Sequence, residues 1–208
     1  MLPKDFPPYS MVQRYFYGGR NRGIWQTINH APLMEVREAA GREASPTAGV
    51  IDSQAVKTTE AGGPRGYDAG KKIKGRKRHI LTDTIGLPVG MIVHSADVQD
   101  RDGARSLLAR VRSSFPRLRH VFADGGYAGD KLQDVLENLG DWTLEIVERS
   151  DIAKGFGLLP RRWVVERTFA WLNRNRRRAK DVEATIESAV TWLHIAGVKL
   201  MSRGLAVA

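Results

Sequence analysis

Three acidic residues sit in segments that otherwise read as apolar: Asp52 in GVIDSQAVK (49–57), Asp124 in FADGGYAG (122–129) and Glu166 in WVVERTFAW (163–171). Carboxylates brought within a few ångströms of one another cannot all stay ionised cheaply, and divalent cations remove that cost. The chain has no cysteine, and its five histidines, His30, His79, His94, His120 and His194, fall at no metal-ligand spacing. Oxygen-only donors point to Mg²⁺ or Mn²⁺ rather than zinc. Two such ions bridged by an aspartate clamp both the attacking and the leaving oxygen of a phosphodiester. The chemistry open to these residues is therefore metal-assisted phosphoryl transfer, provided the fold brings them together.

The charge distribution suggests the polymer. The 208 residues carry a formal charge of +10, and the excess is confined to two windows. Residues 65–78 hold seven basic side chains and one acid, and residues 161–180 hold eight and one, while the rest of the chain is mildly acidic. A single charge run is usually a solvated face, but two runs on an acidic background favour a polyanion, nucleic acid first. The hydrophobic content of 42% suffices for a sizeable core. The absence of cysteine fits a reducing cytoplasm, and no apolar run reaches signal-peptide or membrane-span length.

The elements that must position the carboxylates follow from periodicity. Residues 1–46 read as a helical segment, and REASPTAG as a linker. AGVIDSQAV predicts a strand, and RHILTDTIG with LPVGMIVHSA predict a hairpin turning at Gly86, Leu87 and Pro88. Asp100 or Asp102 is placed to cap the helix GARSLLARVRSSF, stopped by Pro116. RHVFADGG predicts a strand, AGDKLQDVLENLG a helix, and WTLEIVER a fifth strand. Pro160 suits the first turn of a helix running to about Arg178, and TIESAVTWLHIAGVKLMSRG makes a last helix. A hairpin followed by alternating strands and helices argues for an α/β fold with a mixed five-stranded sheet flanked by helices. The element order is that of the RNase H-like fold, in which the first and fourth strands are neighbours. Asp52 and Asp124 would then emerge side by side.

Glu166 has to be aimed at them by its helix. At 100° per residue, Val164, Val165, Thr168, Trp171 and Leu172 share the core arc, while Arg162, Glu166 and Asn173 lie on the opposite, polar stripe. That placement equally suits a plain ion pair between Glu166 and Arg162 four residues earlier.

Other motifs fail on spacing. GPRGYDAGKK has three residues, not four, between Gly66 and Gly70, and Lys72 where a P-loop needs Ser or Thr. DVQDRDGA lacks the bidentate glutamate of a calcium loop, with Ala109 at that position. Tyr127 is read as a core or base-stacking residue rather than a covalent nucleophile, because the carboxylates already account for the chemistry.

The segments IDSQAVKTTEAGGPRGYDAGKKIKGRKRHILTDTIG, VQDRDGA, FADGGYAG, TLEIVERSD and LPRRWVVERTFAWLNRNRRR, in this order, closely resemble transposases of bacterial insertion sequences of the DDE class, specifically the insertion-sequence-five-like group. The resemblance runs from about Leu2 to near Leu205. Asp52, Asp124 and Glu166 match the family's three acidic residues, and Arg162 the arginine of the signature Y-x2-R-x3-E-x6-K. Leu159 stands at the tyrosine position of that signature and Asn173 at its lysine position.

The resemblance implies an enzyme that cleaves DNA at the ends of an insertion sequence. The freed 3′-hydroxyl would attack target DNA with no covalent protein–DNA intermediate. Asp52, Asp124 and Glu166 would be both the catalytic residues and the ligands of two Mg²⁺ (or Mn²⁺) ions. Arg162 would contact a phosphate or orient Glu166. Lys71, Lys72, Lys74, Arg76, Lys77, Arg78, His79, Arg161, Arg174 and Arg176 would join it in tracking the DNA. The expected organisation is a partial helical N-terminal segment over 1–46, with further DNA-binding sequence expected upstream, and a catalytic domain over 47–208. The expected assembly is a homodimer on double-stranded DNA in the cytoplasm, associated with the nucleoid, with a separately encoded N-terminal reading-frame product as a further partner. The alternative is a truncated, catalytically silent DNA-binding remnant, and a third reading is a stand-alone nuclease of the same fold.

Overall fold

The computed structural model describes residues 3–60, 63–140, 142–147 and 162–206. Its centre is β1 (Ala48–Lys57), which runs antiparallel to β3 (Ile73–Asp83) on one edge and parallel to β5 (His120–Ala123) on the other. β3 pairs in turn with β4 (Pro88–Ser95), and β5 with β6 (Thr143–Ile146) in parallel. The order β4-β3-β1-β5-β6 is the RNase H-like arrangement. A short strand not foreseen from sequence, β2 (Gly66–Asp68), pairs with the first residues of β3. The hairpin turns where expected, Gly86 taking a φ of +95° that a side chain would resist.

Alternation along the strands feeds two cores. Ile51, Leu81, Ile92, Val121 and Ala123 face the layer made by α3 (Asp100–Ser114) and α4 (Asp130–Leu139). Val50, Ile80, Met91, Val93 and Phe122 face α5 (Arg162–Asn173) and α6 (Ile186–Leu205). The amphipathic reading of α5 holds in its main lines: Val164, Val165, Thr168, Phe169 and Leu172 are buried, and Trp171 is half-buried. The helix stops at Asn173, short of the expected Arg178. A 3₁₀ turn follows at Arg176–Arg178. Pro160 lies outside the described residues.

Two N-terminal helices, α1 (Tyr9–Asn21) and α2 (Ile24–Ala39), fill the segment read as helical. α2 packs along α6 and is tied to the sheet at three points. Leu33 enters the larger core, the Asn29 amide donates to Pro88 O at 3.1 Å, and Arg37 forms a buried ion pair with Asp83.

The largest departure from the sequence reading concerns GRKRH (75–79). β3 begins at Ile73, five residues before the predicted strand, so the basic run lies inside a central strand with partners on both edges and helices on both faces. Alternation drives its cations into both layers. Arg76, Lys77, Arg78 and His79 are 0%, 5%, 1% and 0% exposed. Arg76 reaches the buried Asp181 at 3.0 Å and Pro64 O at 2.8 Å. Arg78 donates to Arg178 O at 2.9 Å, and burial, with Arg178 nearby, pulls its pKa down to about 9. These four side chains are structural in this fold and present nothing to DNA, which corrects the expectation that they track its backbone.

Two outcomes follow for stability. Replacing Asp181 by alanine strands the Arg76 guanidinium inside the protein and is expected to lower the unfolding free energy by about 3 kcal/mol. The midpoint of urea unfolding at unchanged slope measures it, and a shift worth less than about 1 kcal/mol would refute the role assigned to the pair. Burial also holds the imidazoles of His79 and His194 neutral, at about 3 and about 4 against an ordinary 6.5. Both folded values lie below the unfolded one, so the unfolded chain takes up protons first as the pH drops. Stability is thus fully present above about pH 6.5 and lost on acidification, by about 2 kcal/mol per imidazole between pH 7 and pH 5. Urea titrations of His194→Gln, expected to flatten this dependence, provide the check.

Candidate active site

Asp52 and Asp124 are brought together by the parallel pairing of β1 and β5, each lying two residues beyond its last pair, Val50↔Phe122. Asp124 directly follows β5 and opens a 3₁₀ turn (Gly125–Tyr127), its Oδ1 accepting from the Gly126 amide at 2.9 Å. Asp52 lies within β1, its Oδ1 accepting from the Ser53 amide at 2.6 Å. Burial raises the Asp52 pKa to about 6, and the nearby Asp124 carboxylate adds to the effect. The Ser53 amide, Lys71 and Arg162 oppose it.

α5 lays its polar stripe against this corner. Arg162 Nη2 donates to Asp124 Oδ2 at 3.3 Å and lies 3.7 Å from Glu166 Oε1. At the other end of the stripe, Asn173 donates to Gln54 Oε1 at 3.1 Å, two residues beyond Asp52 on the same face of β1. Glu166 is thus bracketed by two contacts to the β1–β5 corner. It remains 57% exposed at the mouth. The local ion pair between Glu166 and Arg162 is present, but the same guanidinium also holds Asp124, so the pair belongs to the acidic corner and not to the helix alone.

The donor chemistry fits a divalent cation. A half-buried carboxylate such as Asp52 is costly to ionise without a positive neighbour, Asp124 stands beside it, and a guanidinium already links Asp124 to Glu166. Among the described residues no group of three or more His, Asp or Glu side chains is close enough together to hold one ion. Arg162 occupies the position between two of the three carboxylates.

The remaining expected site residues divide clearly. Lys71 reaches into the corner, its Nζ 3.0 Å from Ser53 O. Lys72, Lys74 and Arg174 are exposed, as a DNA contact requires. Arg161 and the side chain of Arg176 lie outside the described residues. Within the second basic window, Arg167 stacks on Trp163 and Trp171 at 4.3 and 4.5 Å, Arg177 pairs with Glu183 at 2.6 Å, and Arg178 is buried. Much of that charge is therefore spent inside the protein.

Tyr127 is a core residue, one of the two roles read for it from sequence, but sequence reasoning missed the polar contacts beneath the carboxylates. Tyr127 is buried with its hydroxyl 3.1 Å from His79 Nδ1, and its pKa is pushed up by burial and then by Asp52, Asp100 and Asp124. Ser53 Oγ donates to Asp100 Oδ1 at 2.8 Å. The signal available in the sequence was strand alternation, which sends Ser53 to the opposite face of β1 from Asp52.

Among the described residues no helix is long and apolar enough to cross a membrane. A Burkholderia cepacia protein described as "Putative transposase for insertion sequence element IS402" is 34% identical over 110 residues, which cover 50% of this chain and 51% of that protein. The chain therefore spans about half the length of the curated relative it matches. The family described as "Transposase DDE domain" matches residues 43–198, a stretch that contains the whole sheet, Asp52, Asp124, Arg162 and Glu166. With the match covering most of its length and the acidic corner inside it, the chain belongs to the DDE transposase domain family.

Proposed function

We propose that the protein is an insertion-sequence transposase, of the insertion-sequence-five-like group, that cuts DNA at the ends of its element and joins the freed 3′-hydroxyl to target DNA. The observation that carries the reading is the meeting of Asp52, within β1, and Asp124, just past the neighbouring parallel β5, with Arg162 linking Asp124 to Glu166. Asp52, Asp124 and Glu166 would hold Mg²⁺ or Mn²⁺, two ions per site. When bound, such ions polarise the scissile phosphate and stabilise charge on the attacking and leaving oxygens.

The chain's own groups supply the rest. Asp52, anchored by the Ser53 amide, gives a fixed oxygen donor that does not have to be ordered as the reaction proceeds. Arg162 balances the charge of Asp124 and Glu166, and its guanidinium is suited to a bidentate grip on a phosphate. Lys72, Lys74 and Arg174 lie on the surface as phosphate contacts, whereas Lys71, tied to Ser53, acts within the corner. Residues 47–208 form the catalytic domain in this reading, and 1–46 belong to a DNA-binding region. The working unit is a homodimer on double-stranded DNA in the cytoplasm, at the nucleoid.

Alanine at Asp52, Asp124 or Glu166 is expected to cut metal-dependent cleavage by roughly 10³-fold, about 4 kcal/mol of transition-state stabilisation. DNA affinity should change far less. The check is nicking of duplex carrying the element's ends; wild-type rates in all three variants would end the assignment, and end-independent cutting would favour a general nuclease. Alanine at Lys72, Lys74 or Arg174 should each lower the slope of log affinity against log salt by about 1. The same substitution at the buried Arg76 should act on folding instead.

A further inference from the structure

Asp100 has a task that its position in the chain does not suggest. It opens α3, yet the residue at the helix N-cap is Gln99, and no side chain closes the cap. The carboxylate turns instead toward the sheet. Its Oδ1 accepts from Ser53 Oγ at 2.8 Å and from Lys77 Nζ at 3.0 Å, with His79 Nε2 at 3.9 Å. Gly103, one turn along, permits the approach: a Cβ there would fall 2.5 Å from His79 Nε2 and 2.6 Å from His94 Nε2. Asp100 Oδ2 also lies within 3.4 Å of where a Cβ on Gly126 would stand, beside the Asp124 turn.

Ser53 is the link. Strand alternation puts its hydroxyl on the α3 face of β1 while Asp52 faces α5. Its backbone N–H nevertheless donates to Asp52 Oδ1 at 2.6 Å, and Lys71 Nζ fastens its carbonyl at 3.0 Å and reaches its hydroxyl at 3.4 Å. Lys77 Nζ is held at the same time by Asp68 Oδ2 at 3.4 Å and Val98 O at 2.9 Å, so the group that anchors Asp100 is itself fixed from β2 and from the loop before α3. A chain of contacts therefore runs from α3 through Ser53 to the Asp52 carboxylate. The acid at one end touches no reacting group and fixes the orientation of the acid at the other.

We propose that Asp100 is a positioning residue for the transposase reaction, holding Ser53 from behind the sheet so that the Ser53 amide fixes the Asp52 carboxylate. The inference rests on the function proposed above. A side chain that merely braced the fold would change melting temperature; one that sets the orientation of Asp52 changes turnover by the folded enzyme. Displacing a reacting group by about an ångström costs up to roughly 10²-fold in rate.

The test uses the full chain, with Mn²⁺-dependent nicking of supercoiled plasmid carrying the element's ends as one readout and hydrogen exchange of the Ser53 amide, followed by NMR, as the other. Asp100→Ala and Ser53→Ala should each reduce kcat by about 10- to 100-fold with KM for DNA unchanged within about 2-fold. The double variant should be no slower than the worse single one, because both cut the same chain of contacts. Asp100→Asn, whose amide oxygen still accepts from Ser53, should recover most of the rate. Asp102→Asn, in the same first turn of α3 but outside these contacts, should match the wild type. In Asp100→Ala the Ser53 amide should exchange at least about 10-fold faster than in the wild type. Losses that multiply in the double variant, an effect on KM alone, or unchanged Ser53 exchange would each overturn the proposal. Failure of the underlying function has a different signature: nicking that survives Asp52→Ala while Ser53 exchange still responds to Asp100.

Discussion

Everything at the acidic corner depends on the place of β1 in the sheet. It pairs antiparallel with β3 and parallel with β5, and the second of these pairings places Asp52, within β1, beside the end of β5 that leads into Asp124. The parallel register is short, three residue pairs from Ala48 to Val50, and the last two, Gly49↔Val121 and Val50↔Phe122, are buried on both strands. Helices on both faces make that register expensive to slip, because a one-residue shift would exchange Val50 and Ile51 between two separate cores. The separation of Asp52 from Asp124 is therefore fixed by hydrophobic packing several ångströms away from either carboxylate.

The layer behind the site is polar, which is unusual for the middle of a sheet. β3 carries Arg76, Lys77, Arg78 and His79 through the centre of the protein, and each finds contacts from an element far away in sequence: Asp181, Asp100, Arg178 and Tyr127. Buried charges of this kind are weak evidence for stability, since desolvation opposes attraction. Their effect here is directional. They tie the segment after α5, the start of α3 and the turn after β5 to one strand, and these elements surround the candidate site.

How far the sequence disclosed this arrangement can be traced residue by residue. The three acids were legible because each interrupts an apolar pattern, and the order of strands and helices was legible because alternation and helical periodicity differ. The polar stripe of α5 followed from geometry alone. What was not legible was the fate of GRKRH, because a run of cations reads as solvated unless its partners are known, and partners such as Tyr127, Arg178 and Asp181 lie 48, 100 and 105 residues away along the chain. Asp100 misled for a related reason: an acid in the first turn of a helix predicts a cap, and only the tertiary contact with Ser53 reveals the stronger claim on it. Asn173, at the lysine position of the family signature, makes a contact to Gln54 that no local rule foretells.

The guanidinium of Arg162, seated between Asp124 and Glu166, has a consequence for how a polyanion meets this surface. Bare carboxylates at the entrance would repel a phosphodiester backbone over roughly a Debye length, about 8 Å at physiological ionic strength. With one cation already in their midst, the mouth has a muted field. Under the proposed function, a strand would then meet the site without bound ions first having to offset its acids, and the order of the two events would be free to vary with the supply of each.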